Sequence, residues 1–171
     1  DIASIAATDG SYGVGEALSI TVTFDQAVDV TGSPTLTLSN SDTATYASGT
    51  GNAAIVFTTT IAEGDTASSD LSVSSINSNG GTIEDAHDNT YDSTISDGDL
   101  GAVTVDGAVP VFIGVSATDG DYGVGEVLTI TAIWGEAVVV TGTPTLTLSN
   151  GDTATYSSGT GSNALAFTTT I

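Results

Sequence analysis

From Ala17 to Phe24 the chain alternates strictly: Leu18, Ile20, Val22 and Phe24 fall on one side, Ser19, Thr21 and Thr23 on the other. A period of two marks a strand with one face buried. Pro34 to Leu38 repeats the pattern in a shorter run. Thr43 to Ser48 and Ala54 to Ile61 follow, separated by the turn-forming Gly49-Thr50-Gly51-Asn52. Leu71 to Ile76, Ala102 to Val105 and an opening segment near Ile2 to Ala6 complete the set. No stretch carries a helical period, and the Thr and Val content favours strands. Short strands with Gly, Asn, Asp and Ser between them predict an all-β, antiparallel Greek-key sandwich of about seven strands.

The pattern then starts again. Ala7 begins ATDGSYGVGEALSIT and Ala117 begins ATDGDYGVGEVLTIT; Thr31 begins TGSPTLTLSNSDTATYASGTG and Thr141 begins TGTPTLTLSNGDTATYSSGTG. The offset is 110 throughout, and roughly 39 of the 61 overlapping positions are identical. A period of that length is a whole domain rather than a solenoid turn. Residues 1–110 are therefore expected to be one complete unit. Residues 111–171 are expected to be the first five strands of a second, incomplete one.

Alternating strand direction sorts the loops into two poles. Asp9 to Glu16, Ala62 to Asp70 and Asp106 are expected at one, and Asp25 to Ser33 and the long Asn77 to Gly101 connection at the other.

Charge changes the picture more than size does. The 171 residues include 21 Asp plus Glu, one His, and neither Lys nor Arg. No Lys or Arg salt bridge can form, nor any Lys-derived isopeptide cross-link. Each carboxylate must be solvated, bonded to backbone or hydroxyl, or matched by an ion. Nucleic acid and anionic membrane surfaces require basic residues, so neither is an expected partner. No membrane-spanning run or signal peptide is visible, and the segment reads as internal to a longer polypeptide. With no Cys, disulfides and thiolate chemistry are excluded.

The stretches DGSYGVGEALSITVTF, VTGSPTLTLSN, ATYASGTG, LSVSSINSNGGTIEDAHDN and DLGAVTVDGAVP resemble the tandem immunoglobulin-like repeats of giant bacterial surface adhesins and of cyanobacterial swimming-motility-type surface proteins. The resemblance covers the whole chain. The sequence departs from the family at Phe57-Thr58-Thr59 and His87-Asp88-Asn89. The resemblance implies tandem immunoglobulin-like Greek-key sandwiches on a secreted or bacterial cell-surface protein. It also implies a structural extender role in an adhesin, filament or biofilm protein, with neighbouring repeats as partners. Two alternatives stand beside it. One is a module that itself binds glycan, ice or another cell. The other is a subunit that polymerises with other copies by strand donation.

Calcium takes about six to eight oxygen ligands from carboxylates, carbonyls and water. The calcium candidates are Asp9, Glu16, Glu63, Asp65 and Asp106 at one pole, with Asp70 beside them. Glu84, Asp85 and Asp88 belong to the long connection, which also holds Asp92, Asp97 and Asp99. Asp25 and Asp29 form a third, weaker pair, since Gly135 and Val139 replace them in the second unit. The competing reading is that these are turn residues bonded to their own backbone. His87 has no Cys or second His to make a zinc site and reads as a surface loop residue. Trp134 replaces Phe24 and reads as core. Tyr12 and Tyr122 are expected to pack across a domain joint rather than merely cover a sandwich end. The Gly-rich DGSYGVGE lacks the spacing and Lys of a phosphate loop. No enzyme is expected: the one possible His base, His87, stands in the long connection, and paired carboxylates on a small sandwich without aromatic subsites offer no sugar cleft.

Overall fold

In the computed structural model, which describes residues 1–171, Leu18, Ile20, Val22 and Phe24 all point into a core and are at most 3% exposed. Their strand runs further than the alternation alone indicates. It continues to Thr31 across an irregularity between Thr23 and Val28, where Asp25, Gln26 and Ala27 bulge out to solvent. Residues Asp25–Thr31 are therefore strand and bulge rather than the expected loop.

The chain divides into two compact units, Asp1–Val109 and Pro110–Ile171. Unit 1 contains β1 (Ile2–Ala7), β2 (Gly10–Gly13), β3 (Ala17–Thr31), β4 (Thr35–Leu38), β5 (Thr43–Ser48), β6 (Asn52–Thr60), β7 (Val73–Asn77), β8 (Thr82–Glu84) and β9 (Val103–Asp106). Unit 2 contains β10 (Phe112–Ala117), β11 (Val127–Val138), β12 (Thr145–Thr147), β13 (Thr153–Ser158) and β14 (Ser162–Thr170). There is no helix.

The main sheet of unit 1 has the order β1-β3-β6-β5-β4-β7, and β8 joins the far end of β3. Every pairing in it is antiparallel. Ile5 of β1 and Val73 of β7 lie at opposite ends of this order yet belong to one core. The sheet therefore curls around its own apolar face. The all-β, antiparallel expectation is met at that level. Two features were not expected: the β5–β4 step makes the ladder continuous, and β2 pairs with β9 in parallel from Gly10↔Val103 to Gly13↔Asp106.

Tyr12 packs on the core of its own unit, with its hydroxyl donating to the Thr8 carbonyl at 2.9 Å. Tyr46 meets Phe57 edge-on at 6.0 Å, and its hydroxyl accepts from the Thr50 amide. The turn between β5 and β6 requires glycine. Gly49 has φ of 113°, and a Cβ there would meet the Ala54 carbonyl oxygen and the Ile55 Cα.

Unit 2 pairs as β10-β11-β14-β13-β12. Its registers match those of unit 1 at the same offset: Ile20↔Phe57 becomes Ile130↔Phe167, and Leu36↔Ala44 becomes Leu146↔Ala154. Trp134 is only half-buried, stacks edge-on with Phe112 at 5.3 Å, and its buried Nε1 has no partner.

Candidate functional site

The acidic loops are the only concentrated chemistry in the chain, and each has a backbone cause. At one end of unit 1, three segments are laced by main-chain bonds. Gly15 donates to Ile61, Ile61 donates to Glu16, and Gly64 donates to Gly107. Glu16, Asp65 and Asp106 are thus brought to one end of the unit, as the pole assignment expects. Their carboxylates, however, serve local turns. Glu16 accepts from the Gly13 amide at 2.7 Å, Asp65 from Ala62 at 2.7 Å and Asp106 from Ala108 at 3.0 Å. Glu63 is exposed.

Asp9 lies elsewhere. Its Oδ1 accepts from the Ala102 amide at 3.0 Å, at the start of the β2–β9 ladder, whereas Glu16 lies beyond its far end. The cause is β2 itself: a strand stands where a simple loop was expected, and its length separates Asp9 from Glu16. Asp70 is exposed, immediately before Leu71, whose amide bonds the Val103 carbonyl.

The other end of unit 1 brings together the Asp25 region and the long connection, as the pole assignment expects. Asp25 and Gln26 from the β3 bulge border one cavity of about 190 Å3 with Asp85, Asn89, Tyr91 and Asp92. Asp85 organises it. Its carboxylate accepts from the Asn89 side chain, the Asn89 and His87 amides, and Gln26 Nε2 at 3.0 Å. These bonds, those from Asn89 foremost, lower its pKa to about 2. Asp92 is likewise lowered, chiefly by its bonds to Thr94. Asp88 sits in the left-handed region, φ 62°, at the turn that Asp85 closes. The His87 side chain is exposed, as expected of a loop residue.

Glu84 is on a strand, not in a loop, and stands directly opposite Asp29 across the β3–β8 pair. Two like charges in that position repel. Asp97 and Asp99 cap the amides of Asp99 and Gly101. No three Asp, Glu or His side chains converge as a ready ligand set.

The sequence reading passed over Tyr91, Ile83 and Leu100 in the long connection. Ile83 and Leu100 are at most 2% exposed, and Tyr91 meets Phe24 edge-on at 5.7 Å. The available signal was the short Thr82-Ile83-Glu84 alternation after Gly80-Gly81.

No protein-family model matches the chain, and no curated protein matches it.

Proposed function

We propose that the chain is a spacer segment of a large secreted or bacterial cell-surface repeat protein, an adhesin or extracellular filament. In this reading its units are tandem immunoglobulin-like sandwiches that act by holding distance rather than by catalysis. The observation that carries the reading is the double recurrence at one offset. Sequence and strand register both repeat after 110 residues, and the segments Asp9–Glu16 and Ser39–Gly51 recur nearly unchanged in the second copy. The carboxylates also favour it, since Glu16, Asp65, Asp85, Asp92, Asp97, Asp99 and Asp106 are engaged in holding their own turns.

A spacer must resist extension as a unit. Tethered by its ends and pulled, the chain should release residues 1–109 in one event, freeing about 360–390 Å of extended chain, less the span the folded unit already covers, at roughly 3.3–3.6 Å per residue. Gradual yielding without a discrete event would refute the reading.

Calcium belongs to the proposal as a stiffening ion for the acidic loops. It is supported by the absence of any Lys or Arg and by the shared border of Asp25, Asp85 and Asp92. Calcium that binds the native state alone raises the melting temperature. Identical melts with calcium and with chelator at matched ionic strength would remove the ion from the proposal.

A second reading, direct adhesion, has one observation of its own. Thr145, Thr155, Thr168 and Thr129 stand in register across four strands on the outer face of unit 2, about 4.8 Å apart. Thr35, Thr45, Thr58 and Ser19 do the same in unit 1. Co-sedimentation with insoluble polysaccharide or retention in growing ice, lost on replacing these threonines, would favour adhesion over spacing.

A further inference from the structure

Unit 2 contains a groove of about 520 Å3 lined by Val115, Leu128, Ile130, Leu146, Leu148 and Ile171. The same six positions in unit 1 are Ile5, Leu18, Ile20, Leu36, Leu38 and Ile61, none more than 6% exposed. The difference is what lies over them. In unit 1 the segment 62–107 supplies Leu71, Val73, Ile83, Leu100, Val103 and Val105 to the same core.

Backbone pairing gives the same answer independently. Gly10–Gly13 is a strand because β9 pairs with it, whereas the nearly identical Gly120–Gly123 is not a strand. β3 continues to Thr31 against β8, whereas β11 stops at Val138 and leaves Val139 79% exposed. β4 includes Leu38, which pairs with Val73, whereas β12 stops one residue short of Leu148. Asn40 is buried and donates to the Thr66 carbonyl, whereas its counterpart Asn150 is exposed. Each loss falls where one strand or loop of segment 62–107 makes its contact in unit 1.

We propose that the groove of unit 2 is an acceptor for a polypeptide segment of the 62–107 type, supplied from outside these 171 residues. The segment pairs with Thr145–Leu148 in the register that Val73–Asn77 uses on β4, so that an Ile76 equivalent meets Leu146. It then pairs in parallel with Gly120–Gly123. A second copy of this chain is not the donor. Each copy holds one such segment, already engaged, and two grooves, so copies cannot complete one another. The inference rests on the repeat relationship between residues 1–61 and 111–171, and not on the spacer role.

The test adds a peptide with the sequence of residues 62–107, isotopically distinguished, to the full chain. A one-to-one complex should appear by native mass spectrometry. Amide exchange should slow at 120–123, 139–141 and 145–148 and stay unchanged in unit 1. Leu146→Asp should weaken binding at least about tenfold, the equivalent of about 1.4 kcal/mol. A Val103→Asp peptide should weaken it similarly while leaving the chain untouched, which keeps the test decisive if a charge at 146 unfolds unit 2. Absence of protection in unit 2 would overturn the proposal. So would protection confined to unit 1, or protection that the chain reaches alone as its concentration rises, because the grooves would then be closing on each other. Any of these results leaves the force measurement on unit 1, and with it the spacer reading, standing.

Discussion

Leu36 and Leu146 occupy the same heptapeptide, Pro-Thr-Leu-Thr-Leu-Ser-Asn, and differ only in what covers them. Leu36 is 0% exposed, with β7 paired beside its strand, whereas Leu146 is half-buried and lines an open groove. Leu36→Ala therefore loses the full transfer free energy of the side chain and leaves a closed cavity, a cost of about 3–5 kcal/mol. Leu146→Ala loses part of the transfer term and leaves no closed cavity, because solvent already reaches the site, so its cost is about 1 kcal/mol. At roughly 4–8 °C per kcal/mol for a domain of this size, Leu36→Ala should lower the melting temperature of unit 1 by more than about 12 °C. Leu146→Ala should shift unit 2 by about half that or less. Trp134 is the only tryptophan and lies in unit 2, so its fluorescence follows that unit alone. Amide exchange on β6 follows unit 1. Equal costs at the two positions would refute the reasoning, since the heptapeptide is the same and each leucine faces the same alanine on the next strand, Leu36↔Ala44 and Leu146↔Ala154, while only Leu36 has β7 beside it.

Three further outcomes follow from the acidic loops and turns. Asp29→Asn removes one of two opposed carboxylates and should stabilise unit 1 by about 0.2–1 kcal/mol, with the gain shrinking as salt is raised; a denaturant titration at low and high salt measures it. The Asp85 carboxyl has a folded-state pKa below its ordinary value, so the stability it adds is present above about pH 4 and is lost as pH falls towards about 2. Asp85→Ala should therefore flatten that part of the acid-unfolding curve, and an unchanged curve counts against the role given to its Asn89 and His87 bonds. Gly49→Ala should cost about 1–3 kcal/mol in unit 1, and Gly159→Ala, at φ of 111° and equally hemmed in by the Ala164 carbonyl, should cost about the same in unit 2; thermal melts of the two variants test the pair.

The strands with a solvent face were legible because period-two alternation is a direct imprint of burial on one side. β3, β5 and β6 were found within a few residues of their ends on that basis, although β3 ran on past its bulge. β2 and β8 were not legible. Gly10-Ser11-Tyr12-Gly13 has no apolar alternation, and it becomes a strand only through a partner 93 residues away. The three-residue β8 is too short to carry a period. It pairs with the part of β3 beyond the bulge, Asp29 to Thr31, just past the last β3–β6 pair at Val28↔Asn52. Missing β2 misplaced Asp9, since an unsuspected strand put it at the other end of a ladder from Glu16. Alternating strand direction did place Asp25 at the same pole as Asp85 and Asp92, but that they border one cavity depends on long-range packing that no local pattern records. That the carboxylates cap their own turns was visible in outline, because Asp followed two residues later by a small or polar residue is a local arrangement.

The parallel β2–β9 pair has a consequence for the order of events when such a chain is made. All pairings among β1, β3, β4, β5 and β6 join residues within the first 61, and unit 2 forms the equivalent pairings from its own 61 residues. A chain emerging amino terminus first can therefore assemble its curled sheet early. It must then wait for about forty more residues before β9 reaches β2. Closing contacts of such long sequence separation are slow. For that interval the nascent unit is exposed along the surfaces that residues 62–107 will cover, and with no Lys or Arg in the chain its side-chain charge repels a neighbouring nascent copy.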